Sequence, residues 1–389
     1  MKAFSKISNN LEGQKMFQIL ATAKQFEKEG KNVIHFEIGD PDFNTPENIK
    51  EALFDAVKSN NTHYTVSQGL EEFREQASKN IFFSRGFLPN VDQVLVTPGA
   101  NIQIYLTILV LTNPGDEVII TDPCFVSYSS IIKLCNLKET RITLHESNNF
   151  SINLDELKKK ITNKTKLIIL NSPNNPTGSI LSKDEVTSIY NLAEQKDIYI
   201  LSDEVYGRMV YDKGKFYSPS SIDHCEKRVI VAHSFSKSYA MTGWRIGGLM
   251  GPKEFIARAT LVLETITSCV SPFIQIAAIE AMKGSQNEID IMMHEFRSRR
   301  DLLVKGLNAI DGIYCVNPEG AFYAFPNISK LGLTSIEFSD FLLKHFYVAT
   351  CPGTFFGKSS VNNVRFCYAT SEKNIIEALD RIRNAVSLI

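Results

Sequence analysis

The residues best suited to covalent chemistry lie in one segment, residues 234–247, which reads SFSKSYAMTGWRIG. It holds Lys237, Arg245 eight residues later, and the hydroxyl groups of Ser234 and Ser236. A guanidinium close to a lysine lowers the pKa of the amine and favours the neutral form, which attacks carbonyl groups. The hydroxyls and the guanidinium can hold a phosphate. The segment therefore predicts a ligand that is both an aldehyde and a phosphate, namely pyridoxal 5′-phosphate (PLP).

Three more candidate groups follow apolar runs that we predict to be strands. A Pro-Gly-Ala-Asn turn at residues 98–101 precedes a helix, whose free backbone N–H groups suit a phosphate. A turn rich in asparagine and proline occupies residues 171–178, and Asp203 follows the next run. Taken singly, each reads as an ordinary turn or a solvated acid. Because ligands of a doubly wound sheet lie beyond the carboxyl ends of its strands, together they predict one site beside Lys237.

Short apolar runs separated by helical patterns must position these groups. The runs cover residues 93–97, 117–121, 137–142, 166–170, 198–202, 229–232 and 246–250. This alternation predicts an α/β core, a mostly parallel sheet with helices on both faces. Ser182 and Glu185 form a capping box that starts one of these helices, expected over residues 183–195.

The pattern changes after Gly251. Helical patterns then occupy residues 252–267, 272–283, 288–309, 335–345 and 372–386, and short strand patterns occupy residues 322–325, 348–350 and 364–367. This mixture predicts a smaller α+β unit. A helix at residues 15–29 and a strand at residues 33–38 are expected to pack with it.

The overall composition excludes several classes of protein. Of 389 residues 43% are hydrophobic, and 42 Lys and Arg stand against 43 Asp and Glu, a net charge of −1. We therefore expect a large core and no attraction for nucleic acid or membrane, and no apolar run is long enough to span a bilayer. Seven cysteines and seven histidines without metal-ligand spacing, and an N-terminus without a signal sequence, predict a cytoplasmic protein with no metal. Arg297, Arg299 and Arg300 are interpreted as solvated or dimer-facing surface.

The ordered set of motifs resembles the class I/II aminotransferases, which are PLP enzymes of fold type I, and in particular their aspartate and aromatic aminotransferase branch. Besides the segments above, the similarity includes IGDPDF at residues 38–43, YT at 64–65, PEGAFY at 318–323, PGTFFG at 352–357 and VRFCYA at 364–369. The resemblance implies a three-layer α/β/α large domain, residues 45–285, with a mostly parallel seven-stranded sheet. Residues 1–44 and 286–389 would form a smaller α+β domain.

The resemblance also implies the catalytic roles. Lys237 corresponds to the lysine that forms an imine with the cofactor and carries the proton between the substrate α-carbon and the cofactor. Asp203 would pair with the pyridine nitrogen and keep it protonated. Asn175 and Tyr206 would hydrogen-bond the hydroxyl oxygen of the ring. Lys237, Asp203 and Tyr206 form the expected catalytic set.

Contacts to the rest of the cofactor are implied in the same way. The residues expected to bind its phosphate are Gly99, Ala100, Asn101, Ser234, Ser236 and Arg245. Tyr64 would reach the phosphate of the neighbouring subunit, so the active site would need a homodimer. Phe125 would stack on the ring where the family often has tryptophan, which weakens an assignment to aspartate as substrate. Asn101 likewise offers no charge for a second substrate carboxylate.

The expected substrate contacts centre on Arg365, which would pair with the α-carboxylate, assisted by Asn175 and the backbone of Gly39. Met16 and Phe17 would line the side-chain pocket or pack as ordinary core. The leading hypothesis is transfer of an amino group from an L-amino acid to a 2-oxo acid by a ping-pong mechanism. The alternatives are a PLP-dependent β-lyase acting on cysteine conjugates and a non-catalytic binding or sensor protein.

Overall fold

The computed structural model describes residues 5–9, 11, 13–212 and 215–389. The α-helices of these residues are α1 (Lys6–Asn9), α2 (Met16–Lys28), α3 (Glu47–Lys58), α4 (Glu71–Arg85), α5 (Ala100–Leu111), α6 (Ser127–Leu134), α7 (Leu154–Lys160), α8 (Lys183–Lys196), α9 (Ser220–Asp223), α10 (Phe235–Ser238), α11 (Lys253–Thr267), α12 (Pro272–Lys283), α13 (Asn287–Asn308), α14 (Ser335–Phe346) and α15 (Glu372–Val386). The β-strands are β1 (Ile34–His35), β2 (Val94–Thr97), β3 (Glu117–Asp122), β4 (Lys138–Thr143), β5 (Thr165–Asn171), β6 (Tyr199–Asp203), β7 (Val229–Ser234), β8 (Gly247–Met250), β9 (Tyr323–Ala324), β10 (Val348–Ala349), β11 (Cys351–Pro352) and β12 (Val364–Cys367).

Seven strands form one sheet in the order β2-β8-β7-β6-β5-β3-β4. Strand β8 runs antiparallel to both of its neighbours, and the other adjacent pairs are parallel. Each predicted apolar run coincides with one of these strands, and no strand end differs from the expected position by more than two residues. The predicted seven-stranded, mostly parallel sheet is therefore confirmed.

Helices cover both faces of this sheet. Val94 and Val96 of β2 pack in a core that includes residues of α4, α8 and α12. Leu95 points the other way and packs with residues of α5, α6 and α11. Side chains alternate between the two faces of a strand, so each strand contributes to both cores. The result is the predicted three-layer α/β/α arrangement.

Local signals and strand register place the polar strand ends together. The Ser182–Glu185 capping box is formed and α8 begins at Lys183, as predicted. Asn171 of β5 is in register with Asp203 of β6, which in turn is in register with Ala232 of β7. The residues that follow these positions therefore meet at one edge of the sheet.

The C-terminal region has its own antiparallel sheet, in the order β11-β12-β9. Strand β1 pairs in parallel with β10 and joins the N-terminal segment to this region. The strand predicted at residues 33–38 is shorter than expected, because β10 offers only Val348 and Ala349 as partners. After β1, the Phe36 carbonyl accepts instead from the Cys367 N–H of β12, at 2.9 Å. The domain boundaries at residues 45 and 285 stay a prediction, and residues 1–4 lie outside the described part.

The interpretation of the basic cluster on α13 as solvated or dimer-facing surface is wrong for two of its members. Arg299 and Arg300 are only 7% and 2% exposed. Arg299 Nη1 donates to Asp42 Oδ1 at 2.7 Å, and Arg300 Nη1 donates to Asp212 Oδ2 at 2.8 Å. These carboxylates are distant in sequence, and by neutralising the guanidinium groups they permit burial. The side chain of Arg297 is half-exposed and also pairs with Asp212.

All seven cysteines carry free thiols, and Cys135 and Cys269 are the ones partly accessible to solvent. Among the described residues, no cluster of histidine, cysteine and acidic side chains is arranged to hold a metal ion. No helix in the same residues has the length and apolar character needed to cross a membrane.

Candidate active site

A cleft of about 330 Å³ lies at the carboxyl ends of the parallel strands. The predicted site residues that line it are Gly39, Ala100, Asn101, Phe125, Asn175, Asp203, Tyr206, Ser234, Ser236, Lys237, Arg245 and Arg365. Gly99 precedes Ala100 at the start of α5. Tyr64 does not line the cleft of its own chain, and 89% of its surface is exposed. The fold thus gathers nearly all of the expected residues around one space.

Lys237 lies on α10, directly after β7, with its amine enclosed. Nζ donates to the Gly39 carbonyl oxygen at 2.5 Å and lies 5.9 Å from the centre of the Phe322 ring. The pKa of Lys237 is lowered to about 8, chiefly by burial, with smaller lowering contributions from Arg365 and Arg245. The sequence predicted the direction correctly but attributed it to Arg245. Burial is the larger cause because the cleft removes water from the ammonium form.

Asp203 ends β6 with a buried carboxylate. Tyr128 Oη donates to Oδ2 at 2.6 Å, and the N–H of Val205 donates to Oδ1 at 3.3 Å. Burial nevertheless raises the pKa of Asp203 to about 6, since desolvation outweighs these two donors. A positively charged partner, such as a protonated pyridine nitrogen, would stabilise the ionised form of a carboxylate in this environment.

Hydrogen-bond donors collect at the polar end of the cleft. Helix α5 begins at Ala100, so the N–H groups of its first turn lack partners within the helix. Ser234 Oγ donates to Ser236 Oγ at 2.8 Å, and both side chains are buried. Arg245 Nη1 donates to the Thr242 carbonyl oxygen at 2.8 Å and pairs with no carboxylate of the described residues. This end of the cleft is therefore suited to an anion.

Arg365 of β12 forms another wall of the cleft, with 1% of its surface exposed. Nη1 donates to Asn175 Oδ1 at 3.1 Å and Nη2 donates to the Glu37 carbonyl oxygen at 2.5 Å, while Nε has no partner. The guanidinium carbon lies 4.6 Å from the ring centre of Tyr323 and 4.8 Å from that of Phe356. No carboxylate of the described residues pairs with this buried cation. Because an uncompensated buried charge is costly, the arrangement favours a carboxylate ligand.

Several residues of the site were not singled out from the sequence. Tyr128 holds the Asp203 carboxylate, and Tyr323 Oη lies 2.7 Å from Tyr206 Oη. Asn171 Oδ1 accepts from the N–H of Asn175 at 2.8 Å. The available signal was proximity in sequence, since Tyr128 follows the Phe125 segment and Tyr323 ends the PEGAFY motif, but nothing local indicated their partners. Gln14, Ile38 and Thr242 also line the cleft, as do Met16 and Phe17, which the sequence had named as pocket or core residues.

The residues present fit PLP at each of its functional groups. Asp203 suits the ring nitrogen, Lys237 the aldehyde, and the donors around Arg245 the phosphate. Gly99 supports this fit because its φ is +82° and a β-carbon there would collide with the Arg245 guanidinium. The missing side chain lets backbone and cation approach the same group closely. Phe125 supplies an aromatic wall, with its ring in edge contact with Tyr128 at 5.7 Å.

Comparisons with known proteins agree with this geometry. Residues 31–382 match the family described as aminotransferase class I and II. The chain is 42% identical to an aspartate aminotransferase of Pyrococcus horikoshii over 93% of both chains. It is 38% identical to aromatic-amino-acid aminotransferase 2 of Thermococcus litoralis over 92% of both chains. The solved structure of aspartate aminotransferase from Thermus thermophilus with maleate superposes with a TM-score of 0.94 at 31% identity, covering 99% of this chain and 100% of that one.

The family match, the aminotransferase relatives and the site together favour transamination over the β-lyase alternative. They confirm fold type I, PLP as the cofactor, and an amino acid and a 2-oxo acid as the substrates. The chain belongs to the class I and II aminotransferases and is a PLP-dependent enzyme of that family.

Proposed function

We propose that this aminotransferase uses Lys237 as its proton carrier and Arg365 as the clamp for the substrate α-carboxylate, and that it accepts amino donors with uncharged side chains. The observation that carries the proposal is Arg365, a buried cation that pairs with no carboxylate in the described part of the chain. It lies close enough to Lys237 to lower the pKa of that amine. This arrangement matches an amino acid, because the cation of Arg365 suits its α-carboxylate and the amine of Lys237 suits its reacting α-carbon.

Bound PLP supplies an aldehyde that condenses with amines and a ring that withdraws electrons from the α-carbon. Asp203, held by Tyr128, would keep the ring nitrogen protonated through its negative charge. Asn175 and Tyr206 line the same cleft and would donate to the ring hydroxyl oxygen. The residues that would hold the phosphate are Gly99, Ala100, Asn101, Ser234, Ser236 and Arg245, with Phe125 beside the ring.

Lys237 would take the proton from the substrate α-carbon at Nζ and deliver it to the cofactor. A pKa of about 8 allows Nζ to accept and release protons near neutral pH. The Gly39 carbonyl, which accepts from Nζ at 2.5 Å, limits the positions that the amine can take. Arg365 would fix the carboxylate with two N–H groups, and this fork orients the α C–H bond toward Lys237.

The inferred donor class rests on the uncharged residues among those that line the cleft. Gln14, Met16, Phe17, Ile38 and Phe125 line it and carry no charge. The cations that line the cleft are Lys237, Arg245 and Arg365, all assigned above to other groups. A second substrate carboxylate would lose water without gaining a partner from this chain. Aromatic and aliphatic donors are therefore expected to react faster than aspartate.

The donor class can be tested with the PLP-loaded enzyme, one amino acid and no acceptor, by following the absorbance of the cofactor in a stopped-flow instrument. Phenylalanine should convert the cofactor with a second-order rate constant at least about tenfold above that of aspartate. A faster reaction with aspartate would contradict the donor class and leave aminotransfer intact. Release of pyruvate and ammonia from a cysteine conjugate in the absence of acceptor would support the lyase instead.

The role of Lys237 is tested by Lys237→Ala, with Lys227→Ala as the control at an exposed lysine. Turnover should fall at least about a thousandfold in Lys237→Ala, because both the covalent attachment and the proton carrier are lost. The melting temperature should stay near that of the wild type, since burial of this amine is itself unfavourable. Borohydride reduction and peptide mapping should place the cofactor on Lys237 in the wild type. Retained turnover in Lys237→Ala would refute the assignment.

We further propose that the active enzyme is a homodimer. Tyr64 is 89%, Val66 61% and Leu261 58% exposed. Ser67 Oγ donates to Glu264 Oε2 at 2.7 Å, so the Tyr64 segment lies against α11 and these apolar groups share one surface. A second copy would cover that surface and receive Tyr64 at its phosphate site.

The proposal also includes the domain boundaries and the cellular compartment. Residues 45–285 would form the large PLP-binding domain, and residues 1–44 with 286–389 the small one. We expect the protein in the cytoplasm, because free thiols are typical of proteins in a reducing compartment. Limited proteolysis near the two boundaries and cell fractionation are the respective checks.

A further inference from the structure

A second cavity, of about 560 Å³, lies between α4, the sheet and two short stretches, residues 207–208 and 215–217, on the far side of β7 from the cofactor-binding serines. Its floor is aromatic. The Phe235 ring lies 5.8 Å from that of Phe73 and 5.3 Å from that of Tyr239. Met250 and Met282 extend the apolar lining. The mechanism proposed above uses none of these side chains.

Gly248 of β8 leaves part of the cavity floor open where the neighbouring strands carry side chains. Gly248 is in register with Val96 of β2 and with His233 of β7. A β-carbon on Gly248 would meet only one atom within 4 Å, an edge carbon of Phe73 at 3.9 Å. Residues paired across an antiparallel ladder point to the same face, so His233 borders the space that Gly248 leaves open.

The polar groups of this cavity are cationic or neutral. Arg85, Arg208 and Lys215 line it, and no acidic side chain of the described residues does. The charge of Arg85 is compensated by the buried carboxylate of Glu204. Arg208 donates to Tyr239 Oη and its guanidinium carbon lies 5.2 Å from that ring, but it pairs with no carboxylate of the described residues.

His233 adds a neutral polar group to the same wall. Burial, together with the nearby charges of Arg85 and Arg208, lowers the pKa of His233 to about 3, so the imidazole stays neutral. A neutral imidazole can donate to or accept from a ligand without adding charge. The remaining positive charge of Arg208 and Lys215 therefore favours an anion at this end of an aromatic cavity.

We propose that this cavity binds a small aromatic carboxylate, with the ring held among the aromatic side chains that line the cavity and the carboxylate at Arg208. Aromatic faces stack on a flat ring, and a guanidinium forms two parallel hydrogen bonds to a carboxylate. The site is separate from the cleft, although both are built on the same strand ends. His233 and Phe235 border the cavity, whereas Ser234 and Ser236 line the cleft. A ligand in the cavity would thus contact His233 and Phe235, which alternate in sequence with the serines proposed to bind the cofactor.

The test uses 4-fluorophenylacetate and the PLP-loaded enzyme, with binding measured by isothermal titration calorimetry and ¹⁹F NMR. Because this probe could also occupy the cleft through Arg365, the titrations are repeated in an Arg365→Lys background. We expect saturable binding of one probe per chain in that background, with a Kd on the order of 0.1–1 mM.

Two variants and one control locate the binding. Arg208→Gln removes the cation and Gly248→Val fills the floor with a residue that strands favour, so each should weaken binding at least about tenfold. Arg383→Gln, at an exposed arginine of α15, should leave binding unchanged. Circular dichroism melts verify that each variant is folded. If either Arg208→Gln or Gly248→Val fails to fold, the other variant alone is sufficient for the test.

Three results would overturn the proposal. The first is the absence of saturable binding in the Arg365→Lys background. The second is binding there that neither Arg208→Gln nor Gly248→Val weakens. The third is saturable binding of adenosine monophosphate without binding of the probe, since the site would then take phosphate esters and not carboxylates.

Discussion

At the scale of single residues, the site depends on how far burial is offset by specific donors. Asp203 shows the balance, because desolvation raises the pKa of its carboxyl to about 6 while the hydroxyl of Tyr128 opposes the increase. The negative charge of Asp203 is what would hold the cofactor ring nitrogen. Tyr128, which is not among the residues that line the cleft, thereby controls the charge of a carboxylate expected to contact the cofactor.

We predict that Tyr128→Phe weakens PLP binding more at pH 6 than at pH 8. Loss of the donor to Oδ2 moves the pKa of Asp203 further upward, so less of the carboxylate is ionised at pH 6, whereas at pH 8 it is ionised in both proteins. The loss of affinity at pH 6 should be about tenfold. Fluorescence titrations of the apoenzyme with PLP at the two pH values measure it. Tyr190→Phe, which removes a hydroxyl bonded to Glu194 on α8, is the control, and equal losses at both pH values would contradict the argument.

At the scale of elements, the turn between β2 and α5 forms the end of the cleft that we propose holds the phosphate. Gly99 has a φ of +82°, and the Arg245 guanidinium occupies the space of its missing β-carbon. This turn was predicted as a phosphate site from its position between a strand and a helix. Arg245 was expected at the same phosphate, but its direct packing against Gly99 depends on the pairing of β2 with β8, which the sequence did not show.

Gly99→Ala should therefore reduce the affinity for PLP about tenfold, since a left-handed conformation costs an alanine about 1–2 kcal/mol and Arg245 must move. Gly243→Ala is a matched control, because nothing lies within 4 Å of a β-carbon at that position. Equilibrium dialysis against PLP compares the two. Equal affinities would show that the turn does not contact the phosphate.

The contact between α2 and the segment that contains β1 is expected to contribute to stability in a pH-dependent way. His35 Nδ1 lies 2.8 Å from the buried Glu37 Oε1, and its Nε2 lies 3.1 Å from Glu27 Oε1 of α2. The hydrogen bond with Glu37, supported by the charges of both carboxylates, raises the pKa of His35 to about 9 despite partial burial. Because the pKa is higher in the folded state, the contribution to stability is complete below pH 6.5 and is lost as the pH rises through 9.

His35→Gln should accordingly lower the melting temperature by about 2–4 °C at pH 6, and the difference from the wild type should shrink toward pH 9.5. Differential scanning calorimetry of both proteins across this range gives the two curves. A difference that is constant with pH would show that the protonated imidazole does not contribute. Since only the difference between the proteins is compared, titration of other groups cancels.

At the scale of the whole molecule, the position of Tyr64 makes the proposed dimer testable by complementation. Tyr64→Phe removes a donor expected at the neighbouring phosphate, and the homodimer should bind PLP about tenfold more weakly. In a hybrid of Tyr64→Phe and Lys237→Ala subunits, one site holds Lys237 together with an intact Tyr64 from the other subunit. That hybrid should recover about half of the wild-type activity at limiting PLP.

The complementation experiment requires differently tagged subunits purified as the hybrid, with light scattering to confirm two chains per particle. If Tyr64 acted within its own chain, the hybrid would show the affinity of the Tyr64→Phe homodimer instead. A monomer by light scattering would contradict the dimer directly. These outcomes leave the roles of Lys237 and Arg365 unaffected.

Much of this protein was determined by short stretches of sequence. Alternating apolar runs and helical patterns predicted the seven strands within two residues, and the Ser182–Glu185 pair predicted where α8 begins. Lys237 and its neighbours indicated the cofactor. These signals are local because periodicity, caps and turns depend on residues within a few positions of one another.

Tertiary structure alone decided which charges are compensated. Arg299 and Arg300 pair with carboxylates and are buried, whereas Arg365 is buried with no carboxylate partner among the residues that the structure describes. Tyr128 reaches Asp203 across 75 positions of sequence, and burial, more than Arg245, lowers the pKa of Lys237. Exclusion of water and pairing of distant charges are properties of the packed chain, because they depend on which segments the fold brings together.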